Sequence, residues 1–91
     1  MAKTSRAKSV EFRLYAPQAK KVSLVGSFNN WSTRKNLAKK DTKGNWMSKV
    51  SLTPGRYEYK FFVDNSWWND PTNSNTSYNN LGSHNNIIEV K

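Results

Sequence analysis

Arg56-Tyr57-Glu58-Tyr59-Lys60-Phe61-Phe62-Val63 is the stretch that decides the fold. Side chains of a strand alternate between two faces, so Tyr57, Tyr59, Phe61 and Val63 point one way and Glu58, Lys60 and Phe62 the other. The first set is the expected core face. Just upstream, Thr53-Pro54-Gly55 reads as a turn, because proline presets its φ and glycine accepts positive φ at the next position. Just downstream, Asp64-Asn65-Ser66 turns the chain so that Trp67 and Trp68 begin a neighbouring strand, which Asp70-Pro71 ends.

The same alternation recurs on both sides of this hairpin. Val10, Phe12 and Leu14 alternate with Glu11, Arg13 and Tyr15 until Ala16-Pro17 interrupts the ladder, and Val22 and Leu24 resume it up to Gly26. These are two strands joined by a connection containing Lys20. In Trp46-Met47-Ser48-Lys49-Val50-Ser51-Leu52, Trp46, Val50 and Leu52 share one face, and Ile87-Ile88-Glu89-Val90 is the closing strand. Between them, Thr72 to Asn80 is too polar to be buried and long enough to be a functional loop. No segment has a helical period. Short strands with frequent turn signals point to one all-β domain over residues 10–91, an immunoglobulin-like antiparallel β-sandwich, preceded by a basic tail over residues 1–9.

With 91 residues there is chain for one modest core and no room for a catalytic domain beside it. The net charge of +9 ordinarily suggests nucleic acid or an anionic membrane as partner. Its distribution argues against both. Lys3, Arg6 and Lys8 lie in the tail, Lys20 and Lys21 flank a strand start, and Arg34, Lys35, Lys39, Lys40 and Lys43 surround a loop, away from the aromatic strands. The absence of cysteine excludes disulfides and thiolate metal sites. Met1 to Ser9 carries no apolar run and no stretch reaches membrane-spanning length, so the chain reads as soluble and cytoplasmic.

An enzyme is disfavoured. Glycoside hydrolysis needs two suitably separated carboxylates, whereas Glu11, Asp41, Glu58, Asp64, Asp70 and Glu89 sit in strand or turn contexts with no evident pair, Asp64 and Asp70 reading as turn residues. His84, the single histidine, has no thiolate partner, and no glycine-rich phosphate loop occurs. Neither a cofactor nor a metal is expected.

The indoles carry the functional signal. Trp31 closes Gly26-Ser27-Phe28-Asn29-Asn30-Trp31-Ser32, and Trp67 follows Asp64-Asn65-Ser66. Tryptophan is normally folded away, so indoles beside Asn, Ser and Asp suggest a wet platform for a ligand with apolar faces and hydroxyls. A sugar ring fits that description. With Tyr59 and Phe61 inward, Lys60 lies on the outer face near the hairpin presenting Trp67 or Trp68, and Trp31 and Asn85, beyond strand ends, reach the same patch through loops. Trp46 reads as a core residue. If Trp67 faces the ligand, alternation turns Trp68 toward the core or a sheet edge.

Three ordered blocks, Gly26-Ser27-Phe28-Asn29-Asn30-Trp31, Tyr59-Lys60-Phe61-Phe62-Val63-Asp64 with Trp67 and Asp70-Pro71, and Leu81-Gly82-Ser83-His84-Asn85-Asn86-Ile87-Ile88, carry a family likeness. The chain resembles the glycogen- and starch-binding modules of the AMP-activated protein kinase β-subunit and of glycogen branching and debranching enzymes, over residues 10–91. The resemblance implies noncatalytic binding of α-1,4-glucans. It implies Trp31 and Trp67 as stacking residues, Lys60 and Asn85 as hydrogen-bonding residues, and Leu81 projecting into the turn of the glucan. Ser83 stands where the kinase modules have a threonine, keeping a hydroxyl and dropping a methyl. Ala38-Lys39-Lys40-Asp41 shows no obvious regulatory serine and nothing follows Lys91, so kinase scaffolding is disfavoured as an expectation.

Two alternatives follow from the same residues. Stacking aromatics with surplus positive charge also hold single-stranded nucleic acid, though the scattered lysines disfavour it. Exposed aromatics also contact proteins, for instance a glycogen-metabolising enzyme.

Overall fold

The computed structural model describes residues 7–79 and 82–91. Among these residues eight strands run in the order β1 (Lys8–Tyr15), β2 (Val22–Gly26), β3 (Lys39–Lys40), β4 (Asn45–Leu52), β5 (Gly55–Val63), β6 (Ser66–Trp68), β7 (Thr76–Tyr78) and β8 (His84–Val90), with a 3₁₀ turn at Ser27–Asn29. They form two antiparallel sheets, one ordered β1-β4-β3 and the other β2-β5-β8-β7, with β6 paired to the far half of β5. This is the immunoglobulin-like β-sandwich expected from the alternation, and among the described residues no helix is long and apolar enough to cross a membrane.

The core lies between the sheets. Phe12, Leu14, Trp46 and Leu52 of the first sheet meet Leu24, Tyr59, Phe61 and Val63 of the second, all less than 8% exposed. Aromatic rings dominate the seam: Phe12 meets the Tyr59 ring edge-on at 4.9 Å between centroids, and Tyr59 meets Phe61 at 6.1 Å. Such pairs add about 0.5 to 1.5 kcal/mol each beyond the apolar area they bury. Trp46 is core, as expected, and its Nε1 donates to the Ala16 carbonyl at 2.9 Å.

Three features depart from the sequence reading. Although Val22 and Leu24 look like a resumption of the first ladder, β1 and β2 belong to different sheets, and all five residues of β2 are buried. A strand covered on both faces loses its alternation. Residues 36–38 also close the free edge of β2: Leu24 N–H donates to the Asn36 carbonyl and Ala38 N–H to the Val22 carbonyl. The closing strand begins at His84, so Asn85 lies within β8, not on a loop beyond it. The polar segment after Pro71 also contains β7, because Ser77 and Tyr78 pair with Asn85 and His84.

The β5–β6 hairpin sets the register of the two adjacent tryptophans. Asp64 and Asn65 have φ of 46° and 69°, the left-handed pair that a two-residue hairpin requires. Trp67 therefore pairs with Phe62 on the outer face, and Trp68 pairs with Phe61 on the opposite side. Trp68 remains 41% exposed, at the sheet edge. Asp64 does serve a turn: its carboxylate accepts from the backbone N–H groups of Lys20 and Lys21.

Candidate functional site

The outer face of β5 is the floor of the site. Arg56, Glu58 and Lys60 alternate onto it, and with Ser27, Trp31, Trp67, Asn79, Ser83 and Asn85 they line an open groove of about 680 Å³. One wall is the turn after β2, the other is the connection from β7 into β8, and the β6 hairpin closes the end. Over the four residue steps from Arg56 to Lys60 the floor extends about 13 Å.

The wall carrying Trp31 is built by a buried asparagine. Asn29 is 7% exposed; its Oδ1 accepts from the N–H groups of Gly26 and Ser32, and its Nδ2 donates to the Leu24 carbonyl and to Asn36 Oδ1. Phe28 anchors the turn from within, 5.9 Å from the Phe12 ring. The chain then passes through two left-handed residues, Asn30 and Trp31, each at φ 58°, and Trp31 N–H closes on the Gly26 carbonyl at 2.9 Å. Asparagine tolerates that conformation, whereas for tryptophan it costs on the order of 1 to 3 kcal/mol. In that conformation the indole is 38% exposed and borders the groove. Gly26 is needed for close approach: a Cβ there would lie 2.5 Å from the Glu58 carbonyl oxygen.

Trp67 rises from β6 with its ring centroid 4.8 Å from that of Phe62 and is 50% exposed. Lys60 occupies the floor between strands. Although it sits on the outer face, it is only 8% exposed, with its Nζ donating to Ser83 Oγ at 3.1 Å. Ser83 Oγ also accepts from Asn79 Nδ2 at 2.9 Å. The Asn79–Ser83 connection is closed by the Asn79 N–H to the Ser83 carbonyl at 2.8 Å and by the Ser83 N–H to Asn79 Oδ1 at 3.2 Å.

Asn85 and Asn86 have opposite fates. Asn85 faces the groove, where its Oδ1 accepts from Asn79 Nδ2 and its Nδ2 donates to Glu58 Oε1, both at 3.1 Å. Asn86 is fully buried on the other side. Its Oδ1 accepts from the Asp70 N–H at 2.7 Å and from Asn69 Nδ2, and its Nδ2 donates to the Asn73 carbonyl at 2.9 Å. The Tyr59 hydroxyl donates to Asp70 Oδ2 at 2.7 Å and accepts from Asn73 Nδ2, completing the network that pins the turn after Trp68. Burial, reinforced by the Asp70 carboxylate, pushes the Tyr59 phenol well above its usual range, so it stays a donor.

Trp31, Lys60, Trp67, Ser83 and Asn85 are thus brought to one groove, while Leu81 lies outside the described residues. Ser27, Arg56, Glu58 and Asn79 line it as well, and the sequence reading did not single them out as binding residues. For Arg56 and Glu58 the signal was present, since they share the alternation that puts Lys60 on the outer face. Glu58 is the one carboxylate among the described lining residues, and Arg56 and Lys60 are the only cations there. Among the described residues no group of three or more His, Asp or Glu side chains is arranged to hold a metal.

A family model described as the glycogen recognition site of AMP-activated protein kinase matches residues 9–91. Among individual proteins, 5'-AMP-activated protein kinase subunit beta-1 of Rattus norvegicus is 43% identical over 72 residues, which cover 79% of this chain and 25% of that subunit. Subunit beta-2 of Homo sapiens is 42% identical over 72 residues, with the same coverage of each chain. The chain thus spans about a quarter of the length of these relatives. With its sandwich, its groove and a match over nearly its whole length, the chain belongs to the family of the glycogen recognition site of AMP-activated protein kinase.

Proposed function

We propose that this domain is a noncatalytic binding module for α-1,4-glucans such as glycogen, starch and maltooligosaccharides. The observation that carries the reading is the convergence of two half-exposed indoles, Trp31 and Trp67, on one groove whose floor and far wall are polar. An indole covers the C–H face of a glucose ring, while Lys60, Ser83 and Asn85 supply donors and acceptors to hydroxyls at its rim. Two platforms, one on a wall and one at the end of the groove, suit a curved chain better than the flat ribbon of a β-1,4-glucan. Sugar hydroxyls exchange water for protein partners with little net gain per bond, so affinity for a short glucan is expected at about 10 μM to 1 mM.

A carboxylate within the groove and only two cations among the described lining residues favour a neutral ligand over a polyanion. The relatives are named as subunits of a protein kinase. By the same reading, the domain would hold an associated enzyme on the polymer, either a glycogen-metabolising enzyme or, as the relatives' names suggest against the expectation from residues 38–41, a kinase. The test is a parallel titration of maltoheptaose, cellohexaose and a single-stranded oligonucleotide at about 50 and 200 mM salt. Maltoheptaose should bind best and change less than about twofold with salt, since a neutral ligand releases no condensed counterions. Tight, salt-sensitive oligonucleotide binding without detectable maltoheptaose binding would overturn the proposal.

A further inference from the structure

We infer that Glu58 is a further binding residue of the groove, which fixes the amide of Asn85 for a sugar hydroxyl and offers its own second oxygen as a hydroxyl acceptor. The inference rests on the glucan reading above. Glu58 lies on the groove floor two residues before Lys60, and its side chain is 29% exposed. A strand carboxylate with no role is normally free in solvent. This one is engaged on both sides by other lining residues: Oε1 accepts from Asn85 Nδ2 at 3.1 Å, and Oε2 faces Arg56 Nη1 at 3.5 Å.

The first contact decides which way the Asn85 amide points. An amide turned over would set Oδ1 against the carboxylate and Nδ2 against the Asn79 Nδ2 donor, losing both bonds at a site only 7% exposed. With Glu58 in place, one Nδ2 hydrogen is spent on the carboxylate and the second remains as a donor for a glucan oxygen. A carboxylate accepts only, so it enforces this orientation more strongly than a neutral side chain would.

The second oxygen is loosely held. At 3.5 Å, between side chains 53% and 29% exposed, the Arg56–Glu58 pair is at the limit of hydrogen bonding and contributes little as an ion pair. What it provides is a strong acceptor with its charge balanced inside the groove. A glucose hydroxyl donates to such an oxygen and still accepts from a neighbouring donor. The ligand class this favours is an uncharged polyol, and a phosphorylated or uronic sugar would meet the carboxylate unfavourably.

The experiment is calorimetric titration of the full chain with maltoheptaose, using the wild type, Glu58→Ala, Glu58→Gln, Asn85→Ala and the Glu58→Ala/Asn85→Ala double variant, each with a thermal melt. Glu58→Ala should weaken binding about five- to tenfold with little change in melting. Glu58→Gln, which keeps an oxygen for Asn85 and loses the second acceptor, should lose only about two- to threefold. The double variant should be little weaker than the weaker-binding single variant, because the two residues act as one unit. In a ¹⁵N–¹H spectrum the Asn85 side-chain amide should shift in Glu58→Ala and hold near its place in Glu58→Gln. Wild-type affinity in Glu58→Ala, or losses that multiply in the double variant, would overturn the inference while leaving the glucan reading intact. Failure of the wild type itself to bind maltoheptaose would bring down that reading, and this inference with it.

Discussion

Replacing Trp67 and Trp46 by alanine in turn separates a platform indole from a core indole. Trp67 is 50% exposed and its main ring neighbour is Phe62, so Trp67→Ala gives up a ring contact worth about 0.5 to 1.5 kcal/mol. For a domain of this size about 1 kcal/mol moves the melting temperature by roughly 4 to 8 °C, so the loss should stay below about 12 °C. Its effect on binding is proportionally larger. If one glucose covers roughly 60 to 80 Å² of the indole face, then at about 25 cal/mol/Å² the lost stacking is about 1.5 to 2 kcal/mol. Affinity for maltoheptaose should then fall by roughly 13- to 30-fold.

Trp46 presents the reverse case. It is 7% exposed, packs in the inter-sheet core and donates to the Ala16 carbonyl. Removing it creates a cavity at a cost of about 3 to 5 kcal/mol, and the melting temperature should drop by at least about 12 °C. That is a large share of the roughly 5 to 14 kcal/mol expected for a chain of this length. The assay is a pair of thermal melts by circular dichroism with calorimetric titration of maltoheptaose below the transition. Wild-type affinity in Trp67→Ala, together with a melting loss as large as that of Trp46→Ala, would refute the assignment of faces.

Three further outcomes follow from particular contacts. Asn86→Ala leaves the Asp70 N–H and the Asn73 carbonyl without their buried partner, and each orphaned group costs about 1 to 3 kcal/mol, measurable by urea unfolding. Gly26→Ala places a Cβ 2.5 Å from the Glu58 carbonyl oxygen and 2.7 Å from Phe28 Cε2; the turn must shift, costing about 1 to 3 kcal/mol and weakening maltoheptaose binding through displacement of Trp31. The Asp41 carboxylate is held below its usual range by the N–H groups of Asn45 and then Lys43. A depressed carboxylate stabilises the fold above its unfolded pKa, and that contribution is lost as pH falls through the lower folded value. Melts in acid should therefore show a shallower decline for Asp41→Asn than for the wild type, and identical pH profiles would exclude the effect.

Much of the fold was legible because its cause is local. Alternation in residues 56–63 identified the core face, since a strand's side-chain period is a property of the backbone alone. The turns at Pro54-Gly55 and Asp64-Asn65 were equally readable, because φ preferences belong to individual residues. β2 was read as a separate strand that resumes the ladder of β1; its place in the other sheet was not legible, because burial of all five of its residues erases the alternation that signals a partner. Asn29 shows the corresponding ambiguity near the site. In sequence it resembles the polar company of an exposed indole, yet its amide is spent entirely on the turn that presents Trp31.

The sequence by itself determined the sandwich, its inward aromatic face, and the residue types of a sugar platform. Only the tertiary structure decided which side chains share the groove. Asn85 and Asn86 are chemically identical neighbours, but the pairing of Tyr59 with Asn86 sends one to the groove and the other beneath the turn that follows Trp68. The pairing of Phe62 with Trp67 likewise divides Trp67 from Trp68, and the approach of Asn85 gives the Glu58 carboxylate a hydrogen-bond partner that alternation alone does not reveal. Hydrogen-bond register joins residues far apart in the chain, and a shift of one position would exchange every one of these faces.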